Sequence, residues 1–167
     1  DTHASRMGRN YEDVESPFEA LFPMMFKAGA RVLDIGCGSG RDMALLLRLG
    51  CDVHGLEASA PLIDFALREH PELRGRITHG AIPGGVPEEH HGSFDGVVLS
   101  AVLMHIPDAE LFDAAFEVRR LMKIGGTLLV SFSVERDDMA AGQGESRNAA
   151  AAGRDQNQGQ GQDCRRD

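Results

Sequence analysis

The stretch "VLDIGCGSGRD" at residues 32–42 constrains this chain more than any other. A short apolar run ends in the carboxylate Asp34. Gly36, Gly38 and Gly40 then follow at every second position, and a helix-forming segment opens directly after them. Glycine is needed where the backbone takes a left-handed conformation, or where something must approach it too closely for a side chain. A buried strand, a sharp glycine turn and a helix in that order form half of a βαβ unit. Such units build parallel sheets with ligand crevices at the carboxyl ends of the strands.

The rest of the chain repeats this alternation. After the strand "RVLDI" and the helix "RDMALLLRLG" come the strand "DVHGLE" and the helix "APLIDFALREH". A shorter strand, "RITHG", leads into the proline- and glycine-rich loop "AIPGGVPEEHHGS". The strand "FDGVVLS", a short turn "AVLMHIP", the helix "AELFDAAFEVRRLMK" and a fifth strand "GGTLLVSFSV" complete the series. Asp108 is placed to cap the last helix, with an apolar stripe expected at Leu111, Phe112, Ala115, Phe116 and Leu121. This alternation predicts an α/β fold of right-handed βαβ units, with a mostly parallel sheet covered on both faces.

Upstream, residues 1–15 read as a mobile arm. Ser16, Pro17 and Glu19 carry the signature of a capped helix start, and an apolar helix is expected through "ALFPMMFKA", divided at Pro23. The domain is expected over residues 16–134. Residues 135–167 contain no Leu, Ile, Val, Phe, Tyr or Trp, so they read as a disordered tail without the apolar surface to offset ordering entropy. The first residue is not Met, which suits a processed or excised chain.

Composition excludes several classes. A chain of 167 residues supports one core. No run approaches the ~18 apolar residues of a membrane helix, and the start lacks a secretory signal. Cys37, Cys51 and Cys164 form no CxxC pair, which argues against a disulfide framework or a metal site and fits the cytoplasm. The net charge of −9 disfavours nucleic acid as a partner.

The turn also narrows the ligand. A dinucleotide fingerprint would read GxGxxG, whereas the third glycine here comes one residue early and Arg41 stands where that pattern needs glycine. Asp34 would repel a pyrophosphate but suits a cation. Glu57 ends the second strand about twenty residues on, where an acid accepts hydrogen bonds from ribose hydroxyls. A ligand with both a ribose and a positive charge is implied. S-adenosylmethionine, with its sulfonium and α-amino groups, meets both requirements.

On these residues the sequence resembles the class I S-adenosylmethionine-dependent methyltransferases of the small-molecule type, over residues 11–134. "VLDIGCGSGRD" is similar to their first motif and "VHGLEAS" to their ribose motif. "GSFDGVVLSAVLMHIP" and "RRLMKIGGTLLVSF" are similar to the segments around their fourth and fifth strands. The resemblance implies that Gly36, Cys37 and Gly38 pass under the methionine part of the cofactor and that Asp34 faces its amino group. It implies that Glu57 holds the ribose beside Ala58, and that Ala81 and Ile82 reach the adenine edge. Ser100 and Ala101 would line the methyl side, with Tyr11 closing over the cofactor. S-adenosylhomocysteine would be the product, and the sheet would be Rossmann-like, doubly wound and mostly parallel, with five strands in the order 3-2-1-4-5.

The chain departs from the family in two places. Ala81 stands where many members have an acid, and nothing after Val134 supplies the C-terminal helix and two-strand hairpin of the family sheet. The fifth strand would then be a bare edge through which the chain could pair with a second copy. The fourth-strand segment lacks the Asn/Asp-Pro-Pro-aromatic pattern of nucleic-acid amine methylases, which points to a small-molecule acceptor.

Methyl transfer needs alignment more than acid–base groups. His105, just after the fourth strand, is the candidate base, with packing in the connection as its alternative. His90 and His91 read as a solvated loop, and Cys37 as a small residue between glycines. Arg41 and Asp42 read as support for the start of their helix. Two other functions stay open: a non-catalytic cofactor- or partner-binding domain, and a nicotinamide-dependent oxidoreductase on the same type of sheet.

Overall fold

The computed structural model describes residues 3–132; the expected tail at 135–167 lies outside them. Five strands form one parallel sheet: β1 (Arg31–Ile35), β2 (Asp52–Glu57), β3 (Ile77–His79), β4 (Phe94–Ser100) and β5 (Met122–Ser131). Their order is β3-β2-β1-β4-β5, so the direction of winding reverses between β1 and β4. The register sets Asp34 beside Gly55 on one side and Val98 on the other, and Glu57 beside His79. This is the α/β fold that the alternation predicts, in the strand order that the resemblance implies.

The strands form because near-continuous apolar runs can bury both faces of a parallel sheet. Val32, Val53 and Val98 point to one face, where they join Phe18, Phe22, Phe26, Met43 and Leu46. Leu33, Ile35, Leu56, Val97 and Leu99 point to the other, where they meet Ala114, Val118 and Leu121. By the same alternation Asp34 and Glu57 share the face of Val32 and Val53.

Helices α3 (Arg41–Arg48) and α4 (Ala60–Glu69) follow β1 and β2, and α5 (Leu111–Leu121) precedes β5. Ser59 caps α4 by accepting a bond from the Leu62 amide at 3.4 Å. The crossover from β3 to β4 is a loop with a single 3₁₀ turn, Glu88–His90. Glu117 of α5 ties this loop down, its carboxylate accepting from the amides of Gly84 and, at 3.3 Å, Val86.

Five expectations are corrected. The stretch expected to be a mobile arm contains the helix α1 (His3–Asp13), which packs on α4. Gly8 makes the docking close: a Cβ there would stand 2.5 Å from the Phe65 ring. The long helix expected from Ser16 is instead a turn followed by the four-residue α2 (Phe22–Met25). Pro23 can open a helix but cannot continue one from upstream. Ser16 still accepts a capping bond, from the Phe18 amide at 3.2 Å.

The stripe on α5 is rotated. Ala114, Val118 and Leu121 face the sheet, while Phe112 is 79% and Phe116 57% exposed. The largest apolar side chains of that helix therefore lie outside its contact with the sheet. Asp108 belongs to a preceding 3₁₀ turn and does not cap the helix. Lastly, β5 starts at Met122, ahead of its expected start, because Met122 already pairs with Phe94 across a register irregularity.

Candidate cofactor site

The glycine turn follows the carboxyl end of β1, beside β4, where the rules for parallel sheets put a ligand site. From β1 the chain enters the turn with φ of +69° at Gly36, +54° at Gly38 and +83° at Gly40. Three left-handed residues at alternate positions are accessible to glycine at little cost. The turn is fastened to β2: the amides of Gly36 and Cys37 both donate to the Leu56 carbonyl, at 2.7 and 3.2 Å.

Glu57 completes the fastening. One carboxylate oxygen accepts from the Gly38 amide at 2.9 Å and the other from the Ser59 amide at 2.8 Å. The side chain is 7% exposed, so the end of β2 is buried and does not face solvent. Each oxygen keeps lone-pair capacity for a hydroxyl donor. Glu57 thus holds the glycine turn and the start of α4 while remaining able to accept from a sugar.

Asp34 and Asp42 are buried on the same side, 2% and 4% exposed. Burial is the main force holding the Asp34 carboxyl well above the usual carboxylate range, and the negative charges of Asp42 and Glu57 push the same way while Arg41 opposes them. Asp42 takes an ion pair from Arg41 Nε at 2.9 Å, but its second oxygen is buried without a partner. An orphaned buried carboxylate oxygen is costly unless a donor arrives. Three buried acids gathered beside Arg41 fit a ligand that brings positive charge. Among the described residues no group of three or more His, Cys, Asp and Glu side chains is arranged for a metal ion.

The other expected residues fall around this centre. The thiol of Cys37 packs toward Gly55 beside Met43, and burial, with Asp34 and Glu57 nearby, raises its pKa well above the ordinary value. It is a packed thiol. Ala58 is exposed just past β2, and its carbonyl lies 2.9 Å from His79 Nε2. Ala81 is exposed, whereas Ile82 is buried in the core with Leu56 and Ile35, so its side chain serves packing first. Ser100 ends β4. Ala101 follows with φ +55°, alone among the described non-glycine residues in having a positive φ, and its amide donates to Ser131. Backbone strain of this kind is concentrated at functional sites.

Tyr11 lies in α1 with its ring against the turn, 3.5 Å from where a Cβ on Gly38 would be. His105 ends a 3₁₀ turn beyond β4; it is exposed and its ring has no hydrogen-bond partner among the described residues. Geometry therefore gathers Asp34, Gly36, Cys37, Gly38, Glu57 and Tyr11, with Ala101 strained at the neighbouring strand end.

Two contributors escape the sequence reading. Val102 fills the space over Gly36, its Cγ2 2.6 Å from where a Cβ would be. Arg41 reaches back to α1, donating through Nη1 to the carbonyls of Tyr11, at 2.7 Å, and Val14. The departure from the dinucleotide fingerprint at position 41 marks the arginine, but nothing in the sequence names its distant acceptors.

Comparison with known proteins places this geometry. Residues 32–126 match the family described as "Methyltransferase domain", more than half of the 167 residues. The chain is 32% identical over 126 residues to a ubiquinone biosynthesis O-methyltransferase of Xanthomonas oryzae pv. oryzae (strain PXO99A), covering 70% of this chain and 52% of that protein. It thus spans about half the length of such relatives. Among solved structures it is similar to the PH0226 protein of Pyrococcus horikoshii OT3, with a TM-score of 0.66, 26% identity and 80% and 66% of the two chains covered. A TehB-like SAM-dependent methyltransferase of Corynebacterium glutamicum ATCC 13032 Kitasato shares the fold, with a TM-score of 0.69, 23% identity and 86% and 82% covered. The chain belongs to the methyltransferase-domain family of class I S-adenosylmethionine-dependent methyltransferases.

Proposed function

We propose that this domain moves a methyl group from S-adenosylmethionine to a small-molecule acceptor by in-line displacement. The observation that carries the reading is the buried acid group Asp34, Asp42 and Glu57 around a left-handed glycine turn, with one acid oxygen left without a donor. The names of the relatives support it.

When bound, the cofactor supplies a methyl group already activated by its sulfonium. Asp34 and Asp42 provide the negative potential that receives its positive charge. Glu57 presents lone pairs to the ribose hydroxyls while keeping the turn in place. The backbone of Gly36 and Gly38, packed against Val102 and Tyr11, faces the methionine part, and Ala58, Ala81 and Ile82 border the adenine side. Ser100 and Ala101 position the methyl face. There, alignment of acceptor and donor accounts for most of the rate, since proximity alone lowers a barrier by several kcal/mol. A ring nitrogen of His105 takes the proton of a hydroxyl acceptor; its exposure beyond β4 leaves it accessible to one.

The acceptor is assigned to small molecules because the chain carries net charge −9, which disfavours nucleic acid, and because its relatives are O-methyltransferases. We place the protein in the cytoplasm, away from the membrane. In support, Cys37 and Cys51 are free, and no described helix is long and apolar enough to span a bilayer.

A second reading, a non-catalytic cofactor- or partner-binding domain, is favoured by the exposed Phe112 and Phe116 and by β5, which among the described residues has no strand on its outer side. Incubation with methyl-labelled S-adenosylmethionine and a panel of phenols, catechols and amines separates the two. Label in a small product supports transfer. Tight cofactor binding with no labelled product and no slow hydrolysis of the donor overturns it in favour of the second reading.

A further inference from the structure

Arg41 is a surface-facing residue type found here in a nearly enclosed position. Its Nε is fixed by Asp42 at 2.9 Å, and its Nη1 donates to the carbonyls of Tyr11 and Val14. Those carbonyls sit at and just beyond the end of α1, where no helix hydrogen bond remains for them. One guanidinium therefore joins the glycine turn to a segment nearly thirty residues upstream. The fork geometry lets one side chain serve a carboxylate and two carbonyls at once.

Other contacts also hold α1. Glu12 Oε1 lies 3.1 Å from His70 Nε2, and Gly8 rests on the Phe65 ring. These contacts dock α1 onto α4 and, through His70, beside Gly40, while Arg41 bonds the carbonyls of Tyr11 and Val14 directly. There the Tyr11 ring stands over Gly38, the residue whose amide is bound by Glu57. A ligand seated on the turn must lie beside this ring, and its exit is governed by whether residues 11–14 stay down.

We propose that Arg41, held in place by Asp42, is a positioning residue that latches residues 11–14 over the glycine turn and thereby sets the residence time of the cofactor. The proposal rests on the cofactor reading above.

The chain has one tyrosine and no tryptophan, so its intrinsic fluorescence reports Tyr11 alone. Stopped-flow release of S-adenosylhomocysteine, followed by that signal, is the test. In Arg41→Ala we expect release at least tenfold faster and Tyr11 opened to acrylamide quenching, with the far-UV dichroism of the parent. Arg41→Lys, which keeps charge but not the fork, should fall between. A second variant guards against a simple folding defect. Gly8→Val drives α1 off Phe65 without touching the turn; it should speed release as well, and Arg41→Ala added to it should change little further.

Parent-like release from Arg41→Ala or from Gly8→Val overturns the latch. A full additional effect of Arg41→Ala in the Gly8→Val chain also overturns it, by showing that Arg41 touches the cofactor directly. A parent chain that binds no S-adenosylhomocysteine overturns the cofactor reading instead.

Discussion

Asp34 is the residue at which burial, charge and ligand are most tightly linked. Its raised pKa means that the folded chain binds a proton more readily than the unfolded one. The contribution of Asp34 to stability is therefore fullest below the ordinary carboxylate pKa and declines as pH rises toward the raised value. We expect Asp34→Asn to raise the melting temperature of the cofactor-free protein at neutral pH while weakening cofactor binding. A cationic ligand favours the ionised acid, so affinity should increase with pH across the same window. Calorimetry in two buffers of different ionisation enthalpy should detect the released proton.

Glu57 has two functions that substitutions can separate. Glu57→Ala removes the ribose acceptor and the bond to the Gly38 amide together, and should weaken cofactor binding by ~2–3 kcal/mol, about 30- to 150-fold. The lost turn contacts should also lower the stability of the cofactor-free chain by about 1–3 kcal/mol. Unchanged affinity by calorimetry would remove Glu57 from the ribose role.

At the scale of elements, the site is a meeting of strand ends. The glycine turn after β1 and the strained step after β4 face each other because the sheet reverses its winding between those two strands. The positive φ at Ala101 costs an alanine roughly 1–2 kcal/mol that glycine would not incur. Ala101→Gly is thus expected to raise stability in a urea titration by up to about 1 kcal/mol. It should slow turnover if the strain holds the methyl face in register, and a destabilised variant would show that the loop adopts another conformation in solution.

α5 shows how an element can obey its pattern and still be misread. Large side chains suggest a stripe through Phe112 and Phe116, yet the sheet takes the small residue Ala114 together with Val118 and Leu121. Close helix–sheet approach selects shape as well as hydrophobicity, and only the partner surface reveals which stripe it accepts. Pro23 was legible as an interruption in "ALFPMMFKA", but the turn that precedes it was not, because short helices depend on tertiary contacts.

At the scale of the molecule, among the described residues β5 pairs with β4 alone and forms one edge of the sheet. Ile124 is 96% exposed, and Leu128, Phe132, Phe112 and Phe116 are exposed as well. Apolar exposure on that scale, next to unpaired backbone groups, favours association. We expect the isolated chain to form concentration-dependent oligomers in sedimentation velocity, and Phe112→Lys with Phe116→Lys to shift it toward monomer. Oligomers indifferent to both substitutions would place the contact elsewhere.

By itself the sequence determined the alternation of strands and helices and most strand bounds, because apolar runs punctuated by glycine satisfy backbone hydrogen bonds in few arrangements. It also determined the turn geometry, since three glycines at alternate positions have few uses. Only the tertiary structure decided that Glu57 bonds both the turn and α4, that Asp42 keeps an unpaired oxygen, and that α1 is a helix latched by Arg41. Those facts depend on groups far apart in the chain whose distances are set by packing, and local pattern carries no record of them.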